Sequence, residues 1–370
     1  MSLPPLVEPI DALSAPERAR TARHGSLAAI GDEGQRRLAA AHVAIVGAGG
    51  LGSPTILALA AAGVGTITVI DDDVVDLSNL QRQIIHRRSD IGAAKVVSAV
   101  RVAAELSPET RVRAIRERVT PDSAQRLLSG AHVVIDGSDT FETRTVVAAA
   151  CEALGVPLVW GVVQEVHAQV TVFWSAPPAG ATPVRLSDLY PPDTVGELPT
   201  CSAVGVLTTL CLQVGALLAT EAMKLVVGVG QPLLGRVLLI DALRATQREV
   251  PLSAAASVAT APPTTTPSRD AAVSAPAPRE VSATDMLAAH EQGATLLDVR
   301  EPWETATGTV AGSVTIPLVD LLDRPERAGP GPFVVICAHG IRARRAAEVL
   351  RARGVHADVL AGGLAAWEQP

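Results

Sequence analysis

The chain has few cysteines and few aromatic residues, and no excess of positive charge. Its four cysteines, Cys151, Cys201, Cys211 and Cys337, lie far apart, and no two share the close spacing of a zinc knuckle, so no structural zinc is expected. Lys and Arg number 31 against 38 Asp and Glu, giving a net charge of −7. A nucleic-acid surface needs clustered cations, so no DNA or RNA partner is expected. The opening MSLPPLVEPIDALSAPERAR lacks a basic start followed by an apolar core. No signal peptide is read there, and the cytoplasm, where free thiols stay reduced, is the expected compartment. The most membrane-like stretch, AVGVLTTLCLQVGALLAT at 203–220, is interrupted by Thr208, Thr209 and Gln213 and leads into Glu221 and Lys224. That pattern is a buried core helix, and no membrane partner is expected. Aromatics at 2% beside abundant alanine are a compositional habit without functional message.

What is present is length and apolar content: 370 residues, 48% hydrophobic, enough for two domains with real cores. Between 43 and 251, short β-branched runs (HVAIVG, TITVID, RVRAIRERV, HVVIDG, PLVWGVV) alternate with longer helical patterns. The alternation predicts an α/β, doubly wound, Rossmann-like domain over 1–252, its mainly parallel sheet covered on both faces. AQVTVFW and GRVLLIDAL read as further strands that could run antiparallel. Residues 253–279, SAAASVATAPPTTTPSRDAAVSAPAPR, have no hydrophobic periodicity and are expected to be a flexible linker. Its ends would typically stand about 30 Å apart. A small α/β unit is expected over 280–370.

The segment VAIVGAGGLGSPTILALAAAGVGTITVIDDD joins a strand, a glycine turn and a helix, with Gly47, Gly49 and Gly52 in the G-x-G-x-x-G positions. Missing side chains let a phosphate approach the backbone at the helix N-terminus. Asp71, at the end of the next strand, suits a ribose. Up to this point an NAD-dependent oxidoreductase with an accessory thiol domain fits equally well. The continuation, DDDVVDLSNLQRQIIHRRSDIGAAKVVSA, adds Asn79, Arg82 and Lys95, which a dinucleotide dehydrogenase has no reason to place there. VVIDGSDTFETR puts Asp136 and Asp139 beyond a strand's C-terminal end, where open α/β sheets bind ligands. A triphosphate needs cations on its oxygens and a carboxylate for its metal; Arg82, Lys95 and Asp139 are that set.

Near the far end, PFVVICAHGIRARRAAEVL places Cys337 between a short buried-type strand, 333–336, and a helical pattern beginning at Arg342. N–H groups at a helix start, with Arg342, Arg344 and Arg345 nearby, would favour a thiolate; a buried, inert cysteine is the other reading.

With these motifs in place, the sequence resembles the ubiquitin-activating-like adenylyltransferases that prepare sulfur-carrier proteins, in particular the molybdopterin-synthase adenylyltransferase/sulfurtransferases with a fused rhodanese domain. The resemblance runs from ARHGSLAAIGDEGQRRL through GAGGLG, SNLQRQ, GAAKV and DGSDTFETR to LLDVREPWE, CAHGIR and LAGGLAAW. It implies that Gly50 and Asp71 hold the nucleotide, and that Ser78, Asn79, Leu80, Gln81, Arg82 and Lys95 grip the phosphates of ATP. It also implies that Asp139 binds Mg²⁺, that Thr140 lines the adenine side, and that Arg23 reaches the partner's ATP in a homodimer. Cys337, Ala338, His339, Gly340, Ile341 and Arg342 would form a persulfide loop, whose six-residue length suits sulfur and is one short of that of the related phosphatases. Cys201, in LPTCSAVGVL, occupies the place of the family's adenylation-domain cysteine; Cys151 and Cys211 fall in apolar helical patterns and are expected in the core. The substrate implied is a ubiquitin-like sulfur carrier ending in Gly-Gly, with sulfur drawn from thiosulfate or a cysteine desulfurase. The chain departs from the pattern at Thr140, where asparagine is common, and in lacking the two Cys-x-x-Cys pairs of many relatives.

Overall fold

The computed structural model describes residues 3–191, 205–252, 278–300, 302–305, 308–338 and 340–367. They form two compact units on either side of 253–277. That stretch, which holds nearly all of the expected linker, lies outside the described residues, as do Cys201 and His339.

The first unit is built on an eight-stranded sheet of order β3-β2-β1-β4-β5-β6-β7-β8. Its strands are β1 (His42–Val46), β2 (Thr66–Ile70), β3 (Arg111–Ile115), β4 (Val133–Asp136), β5 (Leu158–Gln164), β6 (His167–Phe173), β7 (Arg236–Asp241) and β8 (Thr246–Pro251). β3, β2, β1, β4 and β5 pair in parallel; β5 to β8 pair antiparallel, as the sequence allowed. The central strands are apolar on both faces because both are covered. In β1, Val43 and Ile45 enter one core, and Ala44 and Val46 the other. β8, TQREVP, was not expected: a polar edge strand has no apolar alternation to betray it, and its Arg248 and Glu249 suit an edge exposed to water.

Helices α1 (Ala15–Arg20), α2 (Ala22–Gly25) and α3 (Gly31–Ala40) precede β1. The sheet is then covered by α4 (Gly52–Ala62), α5 (Lys95–Leu106), α6 (Ala124–Leu128) and α7 (Phe141–Leu154), followed by the short α8 (Leu186–Leu189) and by α9 (Thr208–Val227). α9 is the apolar stretch singled out above. It is the one described helix long and apolar enough to cross a bilayer, yet most of its apolar window is buried in protein. Gly215 is what lets it lie so close to α4: a Cβ there would stand 2.3 Å from Pro54 Cγ. Thr55 Oγ1 donates to Gly215 O at 3.0 Å, tying the two helices together.

The second unit has five parallel strands in the order β11-β10-β12-β13-β9. They are β9 (Glu280–Val281), β10 (Thr295–Asp298), β11 (Val314–Thr315), β12 (Phe333–Ile336) and β13 (Ala357–Leu360). The helices are α10 (Ala283–Glu291), α11 (Pro302–Thr305), α12 (Leu318–Asp323), α13 (Ile341–Ala352) and α14 (Gly363–Trp367). β12 is wholly buried, with Phe333 and Val335 in one core cluster and Val334 and Ile336 in the other.

Candidate active sites of the two units

Strand order in the first unit reverses at β1 and β4, so their C-terminal ends diverge and leave a crevice. A cavity of about 280 Å³ occupies it. Two main-chain turns make the floor. The first follows β1. Gly47 has φ +89, and a Cβ there would lie 2.9 Å from Gly137 O; a Cβ on Gly52 would lie 1.9 Å from Gly47 O. These two glycines close the turn. Gly50 differs: its Cβ would meet Cys211 Sγ at 3.2 Å and the Arg82 side chain at 3.4 Å, so its bareness keeps the cavity wall open.

The Ala48 peptide is held at both ends. Asp71 Oδ2 accepts its N–H at 2.7 Å. His86 Nε2 and Ser53 Oγ both reach its C=O at 3.1 Å. Burial, only partly opposed by Lys95, raises the pKa of Asp71. Burial lowers that of His86, favouring the neutral imidazole. Lys95 opens α5, is itself buried, and donates from Nζ to Asp73 Oδ2 at 2.8 Å.

The second turn follows β4. Asp136 is fully buried, and burial raises its pKa. Its Oδ1 accepts the Ser138 N–H at 2.9 Å, and Arg144 Nη2 donates to Ser138 O at 3.1 Å. Asp139 follows, exposed to the cavity; among the described residues its carboxylate makes no hydrogen bond or ion pair. Thr140 caps α7, its Oγ1 accepting from Thr143 N at 3.2 Å.

The cavity therefore gathers Gly47, Gly49, Gly50, Asp71, Arg82, Lys95, Asp139 and Thr140. It does not bring Gly52, Ser78, Asn79, Leu80 or Gln81 to its wall. Asp76 caps the 3₁₀ turn Leu77–Gln81 by accepting from Ser78, while Asn79 Oδ1 accepts from Asp76 N. Gln81 Nε2 donates to Thr208 Oγ1 at 2.7 Å, fastening the turn to the start of α9. This segment's visible work is to present Arg82. Arg23, on α2, is exposed and stands apart from the cavity wall. Sequence reading missed Asp73, Gln83, Arg118 and Arg144, all of which line the cavity, and His86 behind it. Gln83 and His86 stood in plain sight in QRQIIH, two and five residues after Gln81.

In the second unit Cys337 sits between β12 and α13, as expected, with Gly340 at φ +84 directly before the helix. Its side chain is buried, only 1% exposed, and Sγ accepts the Ala343 N–H at 3.4 Å. The Cys337 carbonyl accepts Leu364 N at 3.0 Å, and a Cβ on Gly363 would lie 2.5 Å from that same oxygen. The closing LAGGLAAW thus packs its glycines on the loop. Two of the three arginines expected near the thiol have carboxylate partners. Arg342 forms a two-pronged pair with Glu304 at 2.6 and 2.7 Å, and Arg344 pairs with Glu280. The donor seen to address the sulfur is the Ala343 N–H in the first turn of α13. Cys151 and Cys211 are buried as expected, and burial raises the Cys151 pKa strongly.

The family model described as ThiF family matches residues 21–260, and that described as Rhodanese-like domain matches 282–370. The chain is 40% identical to the probable adenylyltransferase/sulfurtransferase MoeZ of Mycobacterium tuberculosis, over 99% of this chain and 96% of that one. It is 34% identical to adenylyltransferase and sulfurtransferase MOCS3-2 of Zea mays, over 95% and 79%. It is 41% identical to the sulfur carrier protein adenylyltransferase of Thermus thermophilus, over 60% and 82%. Among solved structures, E. coli MccB with MccA-N7isoASN shares the fold at TM-score 0.56 and 19% identity, covering 66% of this chain and 74% of that one.

Proposed function

The chain belongs to the ThiF family and carries a rhodanese-like domain, and from that premise we propose how its residues divide the work of an adenylyltransferase and sulfurtransferase. The substrate is the C-terminal Gly-Gly carboxylate of a ubiquitin-like sulfur carrier. The observation that carries the reading is a crevice at the strand-order reversal in which a glycine turn, the cations Arg82 and Lys95 and the unpartnered Asp139 carboxylate meet. An NAD-dependent oxidoreductase has no use for that set.

ATP lies with its phosphates along the 47–50 turn and its ribose toward Asp71. A carrier carboxylate oxygen attacks the α-phosphorus, the bond to the bridging oxygen of the β-phosphate breaks, and pyrophosphate leaves. Arg82 and Lys95 draw off the charge that develops on the departing phosphates. Asp139 offers a hard oxygen donor with no hydrogen-bond or ion-pair partner among the described residues, and it would hold the Mg²⁺ of MgATP. When bound, that ion supplies Lewis-acid neutralisation of phosphate charge.

The product is an acyl-adenylate. Cys337, charged with a second sulfur by thiosulfate or a cysteine desulfurase, supplies the nucleophile. Its Sγ is buried, but an added sulfur stands about 2 Å further out, and that outer atom attacks the acyl carbon while AMP leaves with the bonding pair. The resulting acyl disulfide is cut by a second thiol attacking Cys337 Sγ. The carrier departs as a thiocarboxylate, and a disulfide to Cys337 remains for a cellular thiol to reduce. Cys201 is assigned this second role, and a homodimer in which Arg23 serves the opposite nucleotide completes the proposal. Molybdenum-cofactor synthesis is one pathway that consumes such a carrier.

The test is mass spectrometry of Gly-Gly-terminated carriers incubated with the full-length protein, MgATP and thiosulfate, looking for one terminal oxygen replaced by sulfur. ATP–pyrophosphate exchange is followed in parallel. A carrier that gains sulfur supports the reading; no AMP label and no exchange with any carrier would sink it.

A further inference from the structure

Four buried polar atoms without a protein partner belong to residues of β4, the turn after it, α7 and β5: Asp136 Oδ2, Ser138 Oγ, Arg144 Nε and Trp160 Nε1. Native interiors leave few such atoms, and a residue that holds them carries a constraint beyond packing. Arg144 is only 4% exposed, and its guanidinium stands 5.8 Å over the Trp160 ring. It donates to Ser138 O while Asp136 accepts Ser138 N–H, so one residue of the turn is gripped at both its main-chain groups by two buried side chains. The neighbouring contacts are equally tight. Gly137 N donates to Val46 O at 2.8 Å, and a Cβ on Gly137 would lie 3.1 Å from Gly52 N, so the second turn is keyed to the first.

A packed apolar core would have held β4 and α7 together at less cost than a buried carboxylate beside a buried guanidinium. What an apolar pair could not do is fix the orientation of the Ser138 peptides. The next residue is Asp139, whose carboxylate makes no hydrogen bond or ion pair among the described residues, so its aim depends on the main chain that carries it.

We propose that Asp136 and Arg144 are positioning residues that lock the Ser138 main chain and thereby aim the Asp139 carboxylate at the metal of MgATP. The inference rests on the metal role given to Asp139 above. Groups standing behind a metal ligand typically change metal affinity by about tenfold or more when lost. Removing Arg144 alone would strand Asp136 in the interior, so the informative variant is the double substitution Asp136→Asn with Arg144→Met, which removes both charges and keeps the arginine stem's bulk.

Calorimetric titration of the full-length protein with ATP, in Mg²⁺ and in chelator, reads the result without catalysis, alongside wild type, Asp139→Asn and Arg144→Lys. The double variant is expected to lose about tenfold of the tightening that Mg²⁺ brings, read as the ratio of its own affinities with and without the metal so that any change in metal-free binding cancels. Arg144→Lys, which can still donate to Ser138 O, should recover most of that loss. Amide exchange of the 137–140 segment in the absence of nucleotide should be faster in the double variant and unchanged in Asp139→Asn. If Asp139→Asn loses the Mg²⁺ effect while the double variant keeps it, the positioning role is wrong and the metal role stands. If Asp139→Asn binds MgATP like wild type, the metal role is wrong and the positioning role falls with it.

Discussion

The two glycines at either end of the turn's second half, Gly50 and Gly52, should fail in opposite ways when each is given a methyl group. At Gly52 a Cβ would lie 1.9 Å from Gly47 O and 2.8 Å from Gly47 C, both main-chain atoms. Carbon and carbonyl oxygen rarely approach within about 3.3 Å, so the turn or the start of α4 must move by more than an ångström. Overpacking of that kind costs about 1–3 kcal/mol or more, offset by about 0.5–1 kcal/mol because alanine suits a helix better than glycine. A net loss of about 2 kcal/mol lowers the urea midpoint by roughly 1 M. At Gly50 the neighbours are Cys211 Sγ at 3.2 Å and Arg82 carbons at 3.4 Å. Side chains give way, so the stability change should stay within about 0.5 kcal/mol. The added methyl group, however, projects into the cavity and displaces the phosphate-gripping arginine, and ATP affinity should fall by about tenfold, or 1.4 kcal/mol. Urea unfolding followed through the buried Trp160 and Trp174, with ATP titration of each variant, reads both effects. The reasoning is refuted if Gly52→Ala unfolds at the wild-type urea concentration, or if Gly50→Ala binds ATP undiminished.

Cys337→Ala should abolish thiocarboxylate formation and leave ATP–pyrophosphate exchange intact, whereas Arg82→Ala should abolish both; an unchanged thiocarboxylate yield in the first refutes its assigned role. Glu304→Gln breaks the half-buried pair with Arg342 and should unfasten the Cys337 loop, lowering sulfur transfer by about tenfold while exchange is spared; equal rates would show that the pair is ornamental. Burial lowers the pKa of His42, His86 and His132 below the usual 6.5. Their contribution to the first unit's stability is therefore complete above pH 6.5 and is lost as pH falls through the depressed folded values. The urea midpoint should drop on that side. His132 Nδ1 accepts His42 N at 3.0 Å and must stay unprotonated to do so, so His132→Asn, which keeps an acceptor there, should flatten the drop; a midpoint flat from pH 7 to 5 in wild type contradicts this.

Where burial writes period-two or period-3.6 patterns, the fold was legible. β1, β2, β4 and β5 were recognised because covered parallel strands must be apolar on both faces, and α9 because its polar interruptions sit inside an otherwise core-like helix. β8 was not legible, since an exposed edge strand is held by main-chain pairing to β7 and leaves its side chains free to be Thr246, Gln247, Arg248 and Glu249. The end of β3 was misread for the same reason: RVRAIRERV continues its alternation past Ile115, where the chain has left the sheet for the cavity rim.

The site divides along a related line. Gly47, Gly50, Arg82, Lys95, Asp139 and Cys337 could be named because each was expected to address a ligand, and a ligand's charge dictates residue type. His86 and Arg144, and also Asp136, which was read as a ligand-edge carboxylate and is instead the buried last residue of β4, address main-chain atoms. A carbonyl or an amide looks the same whichever residue bears it, so nothing in the partner's sequence position announces that Ala48 needs a donor or that Ser138 needs both a donor and an acceptor. The surroundings of Cys337 show the same limit. Three nearby cations in RARR read as a positive patch, but Glu304, more than thirty residues upstream, closes on Arg342, and the sulfur accepts the Ala343 N–H, which no side chain encodes. Charge spacing along a chain therefore bounds which ions can meet a ligand, while the aim of those ions is set by hydrogen bonds to the backbone that only the folded turn supplies.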